Sequence, residues 1–188
     1  MRRTLPVLLL SILPLLQGCF PVVATGVGTT VLMLEDRRTS GTVIEDQGIE
    51  FKASGRIDEK YGDKAHINIT SYNRSVLLTG EAPGEAARQD IETLVRGVQG
   101  VSRVLNEIGI GAPTALSSRA NDSYLTSRVK ARFVDANRFQ ANHVKVVTEN
   151  GVVYLLGLVT RKEAADAAEI ASTTGDVKKV VKVFEYLD

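Results

Sequence analysis

The chain has 188 residues, 44% of them hydrophobic and 24% charged, a composition that accommodates one medium domain or two small ones and excludes a disordered or membrane-filling protein. A formal net charge of +1 excludes a global pull toward nucleic acid, so any electrostatic role has to come from charge gathered on one face. One cysteine, two histidines and no tryptophan exclude internal disulfides and leave little material for a metal centre or a catalytic site.

At the N-terminus, Arg2 and Arg3 precede an uncharged apolar stretch from Leu5 to Leu16 that is broken by Pro6 and Pro14. That is the form of an export signal, and it is short of the roughly 20 residues that a membrane-crossing helix needs. Leu16-Gln17-Gly18-Cys19 resembles a lipobox, with Gln17 where Ala or Ser is more usual. Residues 1–18 are therefore expected to be cleaved as a signal peptide, leaving Cys19 to carry lipid. With about three acyl chains, each buried methylene contributing about 0.8 kcal/mol, release would be negligible. Phe20 stands where an Asp would, by the general sorting rule, retain a lipoprotein at the inner membrane, so the outer membrane, facing the periplasm, is expected. Residues 19–44 read as the lipidated terminus and linker; their apolar part, up to Leu34, suits either a spacer or a membrane-surface segment.

The body of the chain is one unit written twice, over 45–112 and 121–188, with 113–120 as the connection. Each unit opens with a helix. Ile49, Ala53 and Ile57 form a stripe at i, i+4 and i+8, matched by Leu125, Val129 and Phe133. A strand follows: Ile67 and Ile69 correspond to Val144 and Val146 at an offset of 77, alternating with polar residues. The next strand, Val76-Leu77-Leu78-Thr79-Gly80, recurs as Val153-Tyr154-Leu155-Leu156-Gly157. Between these strands the second unit has Asn150-Gly151, suited to a tight hairpin; the first has Asn73-Arg74, which predicts a looser turn.

A second helix carries Ala87, Ile91, Leu94, Val95 and Val98 in the first unit. In the second it starts with the capping box Thr160-Arg161-Lys162-Glu163 and presents Ala167, Ile170 and Ala171. Gly100-Val101-Ser102-Arg103-Val104 then recurs as Asp176-Val177-Lys178-Lys179-Val180, opening a closing strand. The order helix, strand, strand, helix, strand predicts an α+β fold in which each unit packs a three-stranded mixed sheet on two helices. His66 and His143 match by the same offset, which descent of a duplicated strand explains without a metal.

Charge separates the copies. Residues 119–138 hold five basic side chains against two acidic ones, or +3, whereas 45–59 hold two against five, or −3. Tyr124, Arg128 and Arg132 lie at i, i+4 and i+8 beside the apolar stripe of their helix. Two readings follow: a basic row ending in an aromatic that meets anionic headgroups, or arginines that pair with acids of the first unit and dock the copies together.

The V-x-L-x-G strand ending, the amphipathic helix after it and the G-V-x-x-V strand resemble the BON domain, and two such domains behind a lipobox resemble the dual-BON outer-membrane lipoproteins. Asp36-Arg37-Arg38-Thr39-Ser40-Gly41-Thr42 is similar to a segment placed between anchor and first domain in that family, and Asn121-Asp122-Ser123-Tyr124 and Gly157-Leu158-Val159-Thr160 are similar to its second domain. The resemblance implies a non-enzymatic role in outer-membrane integrity, including at division sites, without cofactor, metal or nucleic acid. It implies binding of anionic phospholipids, phosphatidylglycerol or cardiolipin, through the first helix of the second domain, here Tyr124, Leu125, Ser127, Arg128, Lys130, Arg132 and Val134. Tyr124 stands where the family can carry Trp, and Tyr also prefers membrane interfaces. The alternative it implies is a protein-binding scaffold that acts on the outer-membrane protein assembly machinery or on control of septal peptidoglycan amidases.

Overall fold

Thr39 opens the first helix, α1 (Ser40–Tyr61), its hydroxyl accepting from the Thr42 amide at 3.1 Å, and Gly62 closes it with φ 47°. The computed structural model describes residues 36–188; the signal segment, Cys19 and the spacer up to residue 35 lie outside the described residues. α1 buries Ile49, Ala53 and Ile57 as the spacing predicts, together with Asp46 one turn earlier. After a 3-10 turn come β1 (His66–Tyr72) and β2 (Ser75–Ala82), paired antiparallel with Tyr72 opposite Ser75. The turn between them is no looser than its counterpart. It has two residues, Asn73 and Arg74, at φ 50° and 66°, and the second unit turns through Asn150 and Gly151 at φ 51° and 77°. An asparagine tolerates this region; the arginine is held there by the Asp46 carboxylate, which accepts from the Asn73 and Arg74 amides at 2.8 Å each.

Helix α2 (Glu85–Arg96) leads to a strand parallel to β2 that is broken at Glu107 and Ile108 into β3 (Arg103–Asn106) and β4 (Gly109–Ile110) without change of register. The second unit repeats the order with α3 (Leu116–Ala136), β5 (Lys145–Glu149), β6 (Val152–Val159), α4 (Arg161–Ser172) and an unbroken β7 (Lys179–Tyr186). Here too the hairpin is antiparallel and the crossover strand parallel. α1 and α3 begin at Ser40 and Leu116, several residues before positions 45 and 121, where the repeat starts in sequence. The capping box of α4 is formed, with Thr160 and Glu163 bonding reciprocally.

Each sheet buries one face against its own two helices. In the first unit this core holds Ile49, Ile57, Val76, Leu78, Ile91 and Val95; in the second it holds Val129, Phe133, Val153, Leu155, Ala167 and Phe184. The opposite faces meet each other. Tyr72 and Leu77 of the first sheet pack with Tyr154, Leu156 and Val183 of the second, supported by Leu105, Val147 and Val181. The result is four layers, helix, sheet, sheet, helix, within one compact unit. Polar contacts border this apolar interface: Asn68 Nδ2 donates to Glu149 at 2.7 Å, Asn73 Nδ2 to Glu185 at 2.7 Å and Asn150 Nδ2 to Glu81 at 3.0 Å. The basic row of α3 takes no part in it, so the docking reading based on arginine pairs is replaced by sheet-to-sheet packing.

Candidate functional site

The inner side of α3 is fixed by four residues. Leu125, Val129 and Phe133 enter the core, and the buried Asp122 carboxylate accepts from the Asn150 and Gly151 amides at 2.9 Å each, tying the helix to the hairpin turn. Thr126 adds a 2.7 Å hydroxyl contact to Thr148 on β5, and Asn137 ends the helix in the left-handed region at φ 47°. Rotation about the axis is thereby set, and so is the side that faces solvent.

That side is apolar. Leu116, Tyr124 and Val134 are exposed by 79%, 62% and 65%, and Ala120, Ser127 and Ala131 stand exposed between them. From Leu116 to Val134 the ridge runs about 27 Å at the α-helical rise. Water-facing helices usually put charge where this one puts small and apolar groups. The charges sit on its flanks. Arg128 and Arg132 border one side, Arg128 stacked 5.7 Å from the Tyr124 ring; Lys130 borders the other.

Of the residues expected to contact lipid, the structure brings Tyr124, Ser127, Lys130 and Val134 to the surface and leaves Arg128 partly covered. Leu125, at 1% exposure, is a core residue, because it shares the inner stripe with Val129 and Phe133. Arg132 is turned against its own unit, donating to the Ile170 carbonyl at 3.0 Å and the Thr174 hydroxyl at 2.8 Å. Leu116, Ala120 and Ala131 belong to the ridge and were missed; the signal was their place on the same helical face as Tyr124, hidden by reading Leu116 as part of the connection.

A second feature went unread in sequence: the Asp36–Thr39 segment bridges both units. Arg38 donates to Asp36 and, at 2.9 Å, to Asp46, and stacks 4.0 Å over the Tyr72 ring of the first unit. Burial works against ionisation of Asp36, yet the Arg38 hydrogen bonds outweigh it and hold the carboxyl below its ordinary pKa. Arg37 reaches into the second unit, donating to the Leu158 carbonyl at 2.9 Å and to both Glu163 oxygens at 2.7 and 2.8 Å. The Arg37 guanidinium pulls the Glu163 pKa down to about 2, against the opposing effect of burial. His143 Nδ1 lies 3.4 Å from the same carboxylate. Among the described residues no cluster of His, Cys, Asp and Glu has the makings of a metal site.

The BON-domain sequence profile matches residues 45–112 and 121–188, most of the chain. The chain belongs to the BON-domain family. Its two BON domains lie in a sequence 41% identical to the outer membrane lipoprotein DolP of Haemophilus influenzae, over 92% of this chain and 91% of that one. The 21 kDa hemolysin of Actinobacillus pleuropneumoniae is 34% identical over 81% of this chain and 79% of its own, and osmotically-inducible protein Y of Escherichia coli is 28% identical over 74% and 72%. This BON protein is thus an outer-membrane lipoprotein of the cell envelope. Among the described residues no helix is long and apolar enough to cross a membrane.

Proposed function

We propose that the protein is a non-enzymatic lipoprotein, anchored through Cys19, that lays the outer face of α3 on the anionic surface of the outer membrane and supports membrane integrity. One observation carries this reading: an exposed apolar ridge, Leu116, Tyr124 and Val134, bordered on both sides by cations. Such a helix places its ridge among headgroups and upper acyl chains while cations on its flanks that lack an internal acceptor meet phosphates, each contributing on the order of 1 kcal/mol. Titration of the chain from Phe20 onward with phosphatidylglycerol or cardiolipin micelles should shift amide resonances of residues 116–138 and spare the first unit. Tyr124→Ala and Val134→Glu should each weaken binding several-fold. Unshifted resonances throughout 116–138 would remove the lipid reading.

A protein-binding role in envelope assembly or in control of septal peptidoglycan amidases is favoured by a different surface. On α1, Ile44 and Phe51 are exposed by 67% and 82% beside Gly48 and Gly55, where an added Cβ would meet nothing. A photo-cross-linker at position 51 should then capture one defined envelope protein in cells, and no such adduct would form if lipid binding through α3 is the whole function.

A further inference from the structure

The two flanks of the α3 ridge employ their cations differently. On the arginine side, Arg128 donates to Asp176 at 3.0 Å, and Arg132 is spent on Ile170, Thr173 and Thr174. Those guanidinium groups already have acceptors within the second unit. On the other side, Lys130 is exposed and makes no hydrogen bond or ion pair among the described residues. It opens onto a cleft of about 320 Å³ that runs from α3 to the first unit, with Lys130, Lys145, Asn142, Arg38, Val134 and Tyr72 in its walls.

The walls differ in what they can offer. Arg38 is a fixed charge, held by Asp36 and Asp46 and only 11% exposed. Lys145 is 39% exposed and only loosely engaged, 3.4 Å from Glu50, so it can turn toward a stronger acceptor. Val134 is shared with the ridge, so an apolar chain lying on α3 leads directly to the mouth of the cleft.

We propose that this cleft is a headgroup site: it seats the phosphodiester of an anionic phospholipid, with the Lys130 and Lys145 ammonium groups donating to its oxygens and the acyl chains passing Val134 onto the ridge. The assignment rests on the membrane-facing reading of α3. It moves headgroup recognition from the arginine row that the sequence suggests to a lysine pair drawn from two elements, α3 and β5. Only the fold brings that pair to one cavity.

The test uses the mature lipidated chain in neutral maltoside micelles, titrated with short-chain dihexanoyl phosphatidylglycerol and followed by amide resonances. Shifts at 130–134 and also at 141–145 are expected. Lys130→Ala and Lys145→Ala should each weaken binding on the order of 5-fold, the equivalent of one cation at an anionic surface. Arg128→Ala should change it by less than about 2-fold, since Arg128 is already paired. Glu50→Gln, which removes the charge that draws Lys145 while keeping an acceptor for the Ser71 amide, should tighten binding. Shifts confined to 116–134, with Lys145→Ala binding as the parent does, would overturn the cleft and leave the ridge reading standing. Absence of shifts at both would overturn the two together. Inorganic phosphate and glycerol 3-phosphate form the comparison arms: displacement of the lipid by inorganic phosphate at equal concentration would overturn the assignment to a lipid headgroup.

Discussion

Asp46 and Asp122 occupy equivalent places 76 residues apart, each an acid inside an otherwise apolar helix stripe, and each does the same work. The carboxylate takes the two free amides of the hairpin turn, and Asp46 also accepts from the Ser71 hydroxyl at 2.6 Å and from Arg38. A charged acceptor for buried amides contributes more than a neutral one, so Asp46→Asn should cost about 2 kcal/mol in denaturant unfolding, and Asp122→Asn somewhat less because it holds fewer donors. An equal cost at both positions would mean that Arg38 and the Ser71 hydroxyl add nothing. Glu163 gives a pH prediction. Its pKa is lowered to about 2 by Arg37, so its contribution to stability is complete above the unfolded value near 4.5 and is lost as pH falls toward 2. Because the pair is partly open to solvent, the loss should be on the order of 1–2 kcal/mol. Melting curves between pH 5 and about 2.5 should fall less steeply for Glu163→Gln than for the parent, and parallel curves would show that the Arg37 contact is not stabilising.

At the scale of elements, the glycine that closes each V-x-L-x-G motif, inside its strand, has a steric reason. Gly80, at φ 102°, lies against the first strand of its hairpin and Gly157 against the 3-10 turn that leads into its own, and an added Cβ would run into the backbone carbonyl oxygens of His66 and His143. The repeated histidines mark that contact by position only. Gly80→Ala adds a forbidden backbone region to the clash and should destabilise by about 3 kcal/mol or more; Gly157→Ala, where φ is ordinary, should cost less. Thermal unfolding of the two variants compares them directly, and a neutral Gly80→Ala would mean that the first strand yields at no cost. The helices show what periodicity can give. The stripes of α1 and α3 were legible because core burial selects apolar residues at 3.6-residue spacing. The outer ridge of α3 was harder to read, since Leu116 precedes the stripe and alanines carry no strong signature.

At the largest scale the two repeat units are held together by a third apolar layer that belongs to neither alone. Leu77→Asp would place a charge between Tyr154, Leu156 and Val183, and should separate the units while each keeps its own core. Calorimetry would then show two transitions where the parent shows one, and small-angle scattering a larger radius; one unaltered transition would mean the interface carries little energy. A signal for this interface was present in sequence. Val76-Leu77-Leu78 and Val152 to Leu158 are apolar without alternation, the pattern of strands covered on both faces, but such runs do not name what covers them. By itself the sequence determined the duplication, the order of elements in each copy and the residues of each helix–sheet core, because these are set by local spacing and by repetition. The tertiary structure alone decided that the two sheets meet back to back, that Arg37 and Arg38 clasp both units, and that Lys130 and Lys145 share one cleft. These depend on contacts between residues far apart in the chain, where charge and shape select a partner that no local pattern specifies.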